Sequence, residues 1–259
     1  QQGKAMPSSR AIFYQECLHV LLERWHLGKD SEFGSTEALR ARGKERPETA
    51  EVHLSAAVAI DVLRPIAYRL HAAGEREDED EDELVNQIDD RLRALGRGED
   101  ADEVLQWLRD RAAVLVEFGT GKLGFFHLNV QEYLAALHIV SEGGDLLKTL
   151  SRNFEKTWWH ETARLVVSIG GKQVFAELIG PLLDGPHMFD EALREVLRDC
   201  FLTAREIDLE LVLDRLDGKG PQEPARLIVL LGLMRGLERG RRDPRFVASA
   251  HGLAGRTSN

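Results

Sequence analysis

Apolar side chains recur at helical spacing near the start of the chain. They fall at i, i+3, i+4, i+7, i+8 and i+11, and they are Tyr14, Cys17, Leu18, Leu21, Leu22 and Trp25. One continuous stripe of this kind predicts an α-helix with a buried face. A second stripe from Ala56 to Leu70 predicts another helix, and Pro65 inside it predicts a kink. Residues 28–49 have no period, which indicates a surface loop.

An acidic run separates these helices from the next. It spans Glu75 to Glu83 and holds eight acids and one Arg. We interpret the run as a solvated loop, with a docking site for a basic partner as the alternative. Its end also places negative charge at the N-terminus of a helix predicted over Leu84 to Leu95, where the helix dipole favours it. Gly96 is expected to end that helix.

The period changes after a short helix predicted from Ala101 to Arg111. Two β-like runs, residues 114–118 and 123–127, flank the turn sequence Gly-Thr-Gly-Lys at 119–122. This pattern predicts one β-hairpin. Directly after it, Asn129 and Glu132 have the N-x-x-E spacing of a capping box, so we expect them to cap a helix over residues 130–140.

The second half of the chain predicts one helix after another, with Gly and Pro at most joints. This order is typical of stacked helical pairs of the HEAT or armadillo kind, although no clean repeat period exists. Trp158 and Trp159 open one of these helices. We expect this pair to fill a core, and a protein interface is the alternative. The predicted helices are Leu146–Phe154, Trp158–Ile169, Val174–Leu183, Phe189–Phe201, Ile207–Leu216 and Ala225–Leu237.

Composition narrows the class of protein. The chain has 259 residues, of which 43% are apolar, and a formal net charge of −10. It can therefore bury a core, and its charge argues against binding the phosphate backbone of nucleic acids. Cys17 and Cys200 are too isolated to indicate disulfides or a zinc site. We find no stretch of membrane-spanning length, and we expect a cytoplasmic protein that is a piece of a longer one.

No motif predicts catalysis or metal binding. Gly121-Lys122 resembles part of a phosphate-binding loop, but that loop needs Gly at position 116 and Ser or Thr at 123, which are Val116 and Leu123 here. The sequence contains neither H-E-x-x-H nor G-x-S-x-G. We therefore predict no catalytic residue, no metal ligand and no enzyme activity in this chain alone.

A winged helix that reads DNA must also be considered, because helices followed by a hairpin are its order of elements. The helix before the hairpin would be the reader, and it carries more acids than bases. We therefore expect a protein-interaction version of that fold.

The segment from Gly124 to Ala136, GFFHLNVQEYLAA, closely resembles the F-x-H-x-T/S-F-Q-E-Y-x-A-A signature of NACHT-family STAND NTPases, where it lies in the winged-helix domain. Residues 7–25 are similar to the family's P-x-x-R-x-x-L-Y helix, and residues 63–68 and 101–117 to two further stretches. The resemblance ends near residue 170. Asn129 stands where the family commonly has Thr or Ser, and Val130 where it has Phe.

This resemblance and the helical pattern of the second half together predict a mainly α chain with three parts: a helical domain at 1–80, a winged-helix domain at 81–157, and helical repeats at 158–259. The further expectations come from the resemblance. It implies that His127 contacts the phosphates of bound ADP and helps to hold a closed, inactive state. The remaining residues of the signature are expected to be structural, and they are Phe125, Asn129, Gln131, Glu132 and Tyr133.

The resemblance also implies a function and partners. The chain would be a regulatory segment of a NACHT signalling NTPase that acts in autoinhibition and oligomerisation, with a role in innate immunity or antiphage defence. ADP or ATP with Mg²⁺ would bind a nucleotide-binding domain N-terminal to residue 1. The expected partners are that domain, other protomers and an unknown protein ligand. A free-standing helical-repeat scaffold and a nucleic-acid-binding winged helix are the alternatives.

Overall fold

A computed structural model of the chain describes residues 10–23, 54–74, 78–185 and 190–216, together with 229–230 and 232–233. The chain divides into two compact units, residues 1–135 and 136–259. In chain order the elements are α1 (Arg10–Glu23), α2 (Ala56–Ala72), β1 (Asp78–Asp80), α3 (Glu81–Ala94), α4 (Ala101–Asp110), β2 (Leu115–Gly119), β3 (Lys122–Phe125), α5 (Leu128–Glu142), α6 (Gly144–Arg152), a 3₁₀ turn (Thr157–Trp159), α7 (His160–Ile169), α8 (Lys172–Asp184), α9 (Glu191–Thr203) and α10 (Leu209–Leu216).

The mainly helical fold class and the first apolar stripe are confirmed. α1 buries Ala11, Leu18 and Leu22 on one face, as the helical spacing requires. Trp25 and the loop predicted at residues 28–49 lie outside the described residues, as do most of the residues of the helix predicted at 225–237.

Pro65 lies within α2 and does not end it. Because proline has no N–H, the carbonyl of Asp61 one turn earlier loses its helical hydrogen bond. The Nε of Arg91 on α3 donates to that carbonyl at 3.0 Å. The proline thus creates an acceptor that α3 uses to bind α2.

The acidic run contributes a strand, so the prediction of a solvated loop is wrong for Asp78–Asp80. β1 pairs antiparallel with β3, with Asp78 opposite Gly124 and Asp80 opposite Lys122. β3 also pairs with β2, which makes a three-stranded sheet in the order β1-β3-β2. The predicted hairpin is confirmed, but it is one part of this larger sheet.

Basic side chains explain how so acidic a strand forms. Lys122 Nζ lies 3.0 Å from a carboxylate oxygen of Asp80. The guanidinium of Arg69 contacts Glu79 at 2.7 Å and Glu83 at 2.8 Å. Each of these surface pairs contributes little alone, but together they offset the repulsion among neighbouring carboxylates.

Local signals set the ends of α3 and α4. Gly96 has a positive φ of 67°, and the N–H of Arg97 donates to the Leu92 carbonyl at 2.8 Å, which together form a Schellman motif. The side chain of Asp100 then accepts from the N–H of Glu103 at 3.1 Å and caps α4. α4 buries Val104, Leu105, Trp107 and Leu108.

Residues 136–259 form the second unit. Within it α6 packs on α8, and α7 packs on α9. Arg215 of α10 donates to the carbonyl of Gly180 on α8 at 3.2 Å and also binds Asp184. Alternate helices therefore form two rows, α6–α8–α10 and α7–α9, which is the arrangement of stacked helical pairs.

Candidate functional site

His127 lies where the sheet passes into α5. The ladder continues one residue past β3, because the N–H of Phe126 donates to the Val114 carbonyl at 3.0 Å. Phe125 is buried and anchors the end of the strand. The chain then turns, and α5 begins at Leu128. The side chain of His127 is exposed at the N-terminus of this helix.

His127 caps α5. Its carbonyl accepts from the N–H of Val130 at 3.0 Å and of Gln131 at 3.3 Å. Its Nδ1 lies 3.2 Å from the backbone nitrogen of Asn129. The imidazole thus accepts a first-turn hydrogen bond, as the oxygen of an N-cap side chain does.

The predicted capping box of Asn129 and Glu132 is therefore wrong. α5 starts before Asn129, which is the second residue of the helix. The side chain of Asn129 contacts α1 instead, because its Nδ2 donates to the Tyr14 hydroxyl at 2.9 Å. A contact between residues far apart in sequence overrides the local spacing.

The cap fixes the tautomer of the His127 ring. A backbone N–H can only donate, so Nδ1 of His127 must carry the lone pair and Nε2 must carry the proton. The Phe126 ring contacts the imidazole edge-on, with the centroids 6.0 Å apart. The histidine consequently offers one N–H donor at an exposed helix N-terminus, where the helix dipole favours anions.

α1 supports this end of α5. The ring of Tyr14 packs 6.0 Å from the ring of Tyr133, one turn along α5 from Asn129. Tyr133 is buried, and burial raises the pKa of its phenol to about 12. Tyr14 therefore holds α5 through a hydrogen bond to Asn129 and through an aromatic contact.

The next two polar residues of the segment face inward. Gln131 is 1% exposed and Glu132 is 6% exposed. Among the described residues, no hydrogen-bond partner reaches Nε2 of Gln131. Both residues stay structural in our interpretation, and neither lies on the surface beside the exposed ring of His127.

Sequence reasoning missed Tyr14 as a site residue. It predicted Tyr14 only as part of a buried stripe, because no local pattern joins residues 115 positions apart. It also left out Phe126, whose exposed ring contacts His127. The sequence did show a phenylalanine directly before the candidate histidine, but its exposure required the structure.

Trp158 and Trp159 behave differently from each other. Trp159 is 4% exposed and is one of the buried apolar residues, as expected for a residue that fills a core. Its backbone N–H donates to the Lys156 carbonyl at 2.9 Å, which closes the 3₁₀ turn. Trp158 is partly exposed, and its role at an interface stays a prediction.

The helix that would read DNA has little positive charge to offer. Arg109 of α4 contacts Asp110 at 2.9 Å and Glu81 at 3.0 Å. The hydrogen bond to Asp110 raises the pKa of Arg109. Asp102 is exposed on the same helix. These contacts neutralise a cation that a phosphate backbone would need.

The described ranges lack two other kinds of site. No three His, Cys, Asp or Glu side chains there form a group that could hold a metal ion. No helix in those ranges is both long enough and apolar enough to cross a membrane.

A protein-family comparison agrees with this architecture. The family model that describes a winged helix-turn-helix domain C-terminal to NACHT matches residues 10–139, which is half of the chain. The match includes α1, the three-stranded sheet and most of α5. No curated protein and no solved structure matches the chain.

Proposed function

Because the chain belongs to the family of winged helix-turn-helix domains C-terminal to NACHT, we propose that it makes a NACHT signalling NTPase sensitive to its nucleotide. In this proposal His127 donates its Nε2–H to the terminal phosphate of ADP. A nucleotide-binding domain of the full-length protein holds the ADP with Mg²⁺, and this chain performs no catalysis itself. The proposed partners are that domain, other protomers after activation and a protein ligand.

The geometry of His127 is the observation that carries the proposal. The ring is exposed, its Nδ1 is used by the cap, and its Nε2–H is the donor that remains. A hydrogen bond to a charged group contributes about 1.5–3 kcal/mol. An energy of ~1.4 kcal/mol changes an affinity tenfold, so losing this contact should weaken ADP binding about tenfold or more.

Autoinhibition follows if ADP binds the closed state better than the open one. A nucleotide shifts the balance of two states only by the difference in its affinity for them. The contact with His127 exists only when the winged helix lies against the nucleotide, so it supplies that difference. Release of this contact would free the chain for oligomerisation. A role in immunity or antiphage defence rests on the family resemblance alone.

Isothermal titration of ADP into the full-length protein tests the proposal. His127→Asn is the informative variant, because asparagine is a good N-cap residue and keeps the cap without the ring donor. His127→Ala removes both. His19→Asn on α1, where His19 contacts Glu23 at 3.3 Å, is the matched control.

We expect His127→Asn and His127→Ala to weaken ADP binding about tenfold and His19→Asn to leave it unchanged. Equal affinity in the wild-type protein and His127→Asn would overturn the proposed role of His127. Weakening by His127→Ala alone would assign the effect to the cap and would also overturn it.

A protein-interaction scaffold is the second candidate function, and the two-row stacking of α6 to α10 favours it. It predicts partner binding that does not depend on nucleotide. Pull-down of a defined partner by the full-length protein, with ADP or with ATP, separates the two. Equal capture in both favours the scaffold.

A further inference from the structure

Two hydrogen bonds link α1 to His127 in a line, and one aromatic contact also joins α1 to α5. Tyr14 Oη accepts from Asn129 Nδ2 at 2.9 Å. The backbone N–H of Asn129 donates to His127 Nδ1 at 3.2 Å. The ring of Tyr14 also packs against the ring of Tyr133. Asn129 is thus bound at its side chain by α1 and at its backbone by the ring of His127.

α5 has two alternative caps within three residues. His127 is the cap observed. Asn129 has the better side chain for this purpose, and with Glu132 it has the capping-box spacing. A helix capped by Asn129 would begin two residues later, at Val130. The backbone of Asn129 would then leave the helical turn, and its N–H would no longer donate to the ring of His127.

The hydroxyl of Tyr14 decides between these caps. An N-cap asparagine must turn its side-chain oxygen toward the backbone N–H groups of the first turn. The hydrogen bond to Tyr14 instead fixes the amide of Asn129 on α1. This bond uses Nδ2 and leaves Oδ1 free, but it holds Asn129 in place as the second residue of the helix, so the cap falls to His127.

We infer that Tyr14 is a positioning residue for His127: its hydroxyl holds Asn129 and so selects the start of α5 at which the His127 ring has one fixed tautomer and orientation. Displacement of α1 releases Asn129, which then caps the helix and frees the ring. α1 therefore controls whether the Nε2–H donor is presented. The consequence for ADP rests on the proposed function, whereas the choice of cap does not.

The test uses Tyr14→Phe, which keeps the ring that packs on Tyr133 and removes the hydroxyl. Hydrogen exchange of the Asn129 and Val130 amides reports the cap, because the His127 ring accepts from the Asn129 N–H and the His127 carbonyl accepts from the Val130 N–H. The ¹⁵N resonances of the His127 ring report its tautomer. Tyr68→Phe, on α2, is the matched control.

We expect exchange at both amides to rise about tenfold in Tyr14→Phe, as loss of one neutral hydrogen bond implies, and the ring to populate both tautomers. Tyr68→Phe should leave both readouts unchanged. The double variant Tyr14→Phe/Asn129→Ala should return to wild-type behaviour, because the competing cap is gone and the backbone N–H at position 129 remains.

A purely structural role of Tyr14 predicts a different result, since the double variant would then be no better than Tyr14→Phe. That outcome would overturn the inference. Unchanged exchange and an unchanged tautomer in Tyr14→Phe would overturn it as well.

Titration of ADP into the same variants of the full-length protein separates this inference from the proposed function. We expect Tyr14→Phe to weaken ADP binding several-fold and Asn129→Ala to restore it. If the exchange results hold and His127→Asn leaves ADP affinity unchanged, the proposed function fails and the positioning role stands. If His127→Asn weakens ADP binding and Tyr14→Phe changes neither the exchange rates nor the tautomer, the positioning role fails and the proposed function stands.

Discussion

The hydrogen bond between Arg91 and the carbonyl of Asp61 gives a quantitative test of how the first unit is held together. Pro65 deprives that carbonyl of its helical partner, and Arg91 Nε replaces it at 3.0 Å. Arg91→Met keeps most of the side-chain stem and removes the donor. A hydrogen bond from a charged donor contributes about 1.5–3 kcal/mol, and because Arg91 is only partly buried, we expect a loss near the lower figure.

Pro65→Ala supplies the matched background. An alanine at position 65 restores an N–H that can donate to the Asp61 carbonyl and so take the place of Arg91. Arg91 also lies in the last turn of α3, where a cation gains about 0.3–1 kcal/mol from the helix dipole. That gain is lost in both backgrounds and cancels in the double-mutant cycle.

The cycle should therefore give a coupling energy of about 1 kcal/mol or more. Native-state hydrogen exchange of α2 and α3 peptides measures the free energies for this unit separately from the second one. If Arg91→Met costs the same with Pro65 and with Pro65→Ala, within about 0.3–0.5 kcal/mol, the bond does not replace the missing helical one and the reasoning is refuted.

Three further predictions follow from single side chains. Gln131→Met should raise the free energy of unfolding by about 1 kcal/mol, because it removes a buried donor that has no partner in the described structure; lower stability in urea would contradict this. Burial lowers the pKa of His71 to about 4, so as the pH falls the histidine is protonated in the unfolded chain before it is protonated in the folded one. The free energy of unfolding should therefore fall by up to about 3 kcal/mol between pH 6.5 and pH 4. Melting curves of His71→Leu should lack that part of the pH dependence. At Gly170 a Cβ would lie 2.5 Å from Val174 Cγ1, so Gly170→Ala should destabilise by about 1–3 kcal/mol, whereas Gly98→Ala, with open space, should not; equal melting temperatures for the two variants would refute this.

Much of the fold could be predicted from local pattern. The stripes of α1 and α2 were visible because burial on one face of a helix repeats every 3.6 residues. The hairpin was visible because Gly121 marks the turn, where φ is 69°. These features depend on residues that are close together in the chain, so they can be recognised from the sequence alone.

The features that were missed depend on distant neighbours. β1 was missed because Asp78–Asp80 is acidic, and only the fold brings β3 and Lys122 beside it. The start of α5 was missed for a related reason. Asn129 and Glu132 do have the spacing of a capping box, but the side chain of Asn129 donates to the Tyr14 hydroxyl on α1.

The sequence predicted the main residue of the candidate site, but not how the structure holds and orients that residue. The family resemblance singled out His127, and the structure places it exposed at the helix N-terminus. Its role as the cap, the tautomer that this role fixes, and the link to α1 required the three-dimensional contacts. These contacts define which nitrogen of the His127 ring accepts and which one carries the proton and can donate.

The proposed contact between His127 and a terminal phosphate is tested most directly by comparing ADP with AMP. AMP lacks the phosphate that Nε2–H would reach, so the ratio of the two Kd values in the full-length protein isolates this contact. We predict that His127→Asn narrows the ratio about tenfold by weakening ADP alone, while His19→Asn leaves it unchanged. A ratio that is the same in the wild-type protein and His127→Asn would contradict the account.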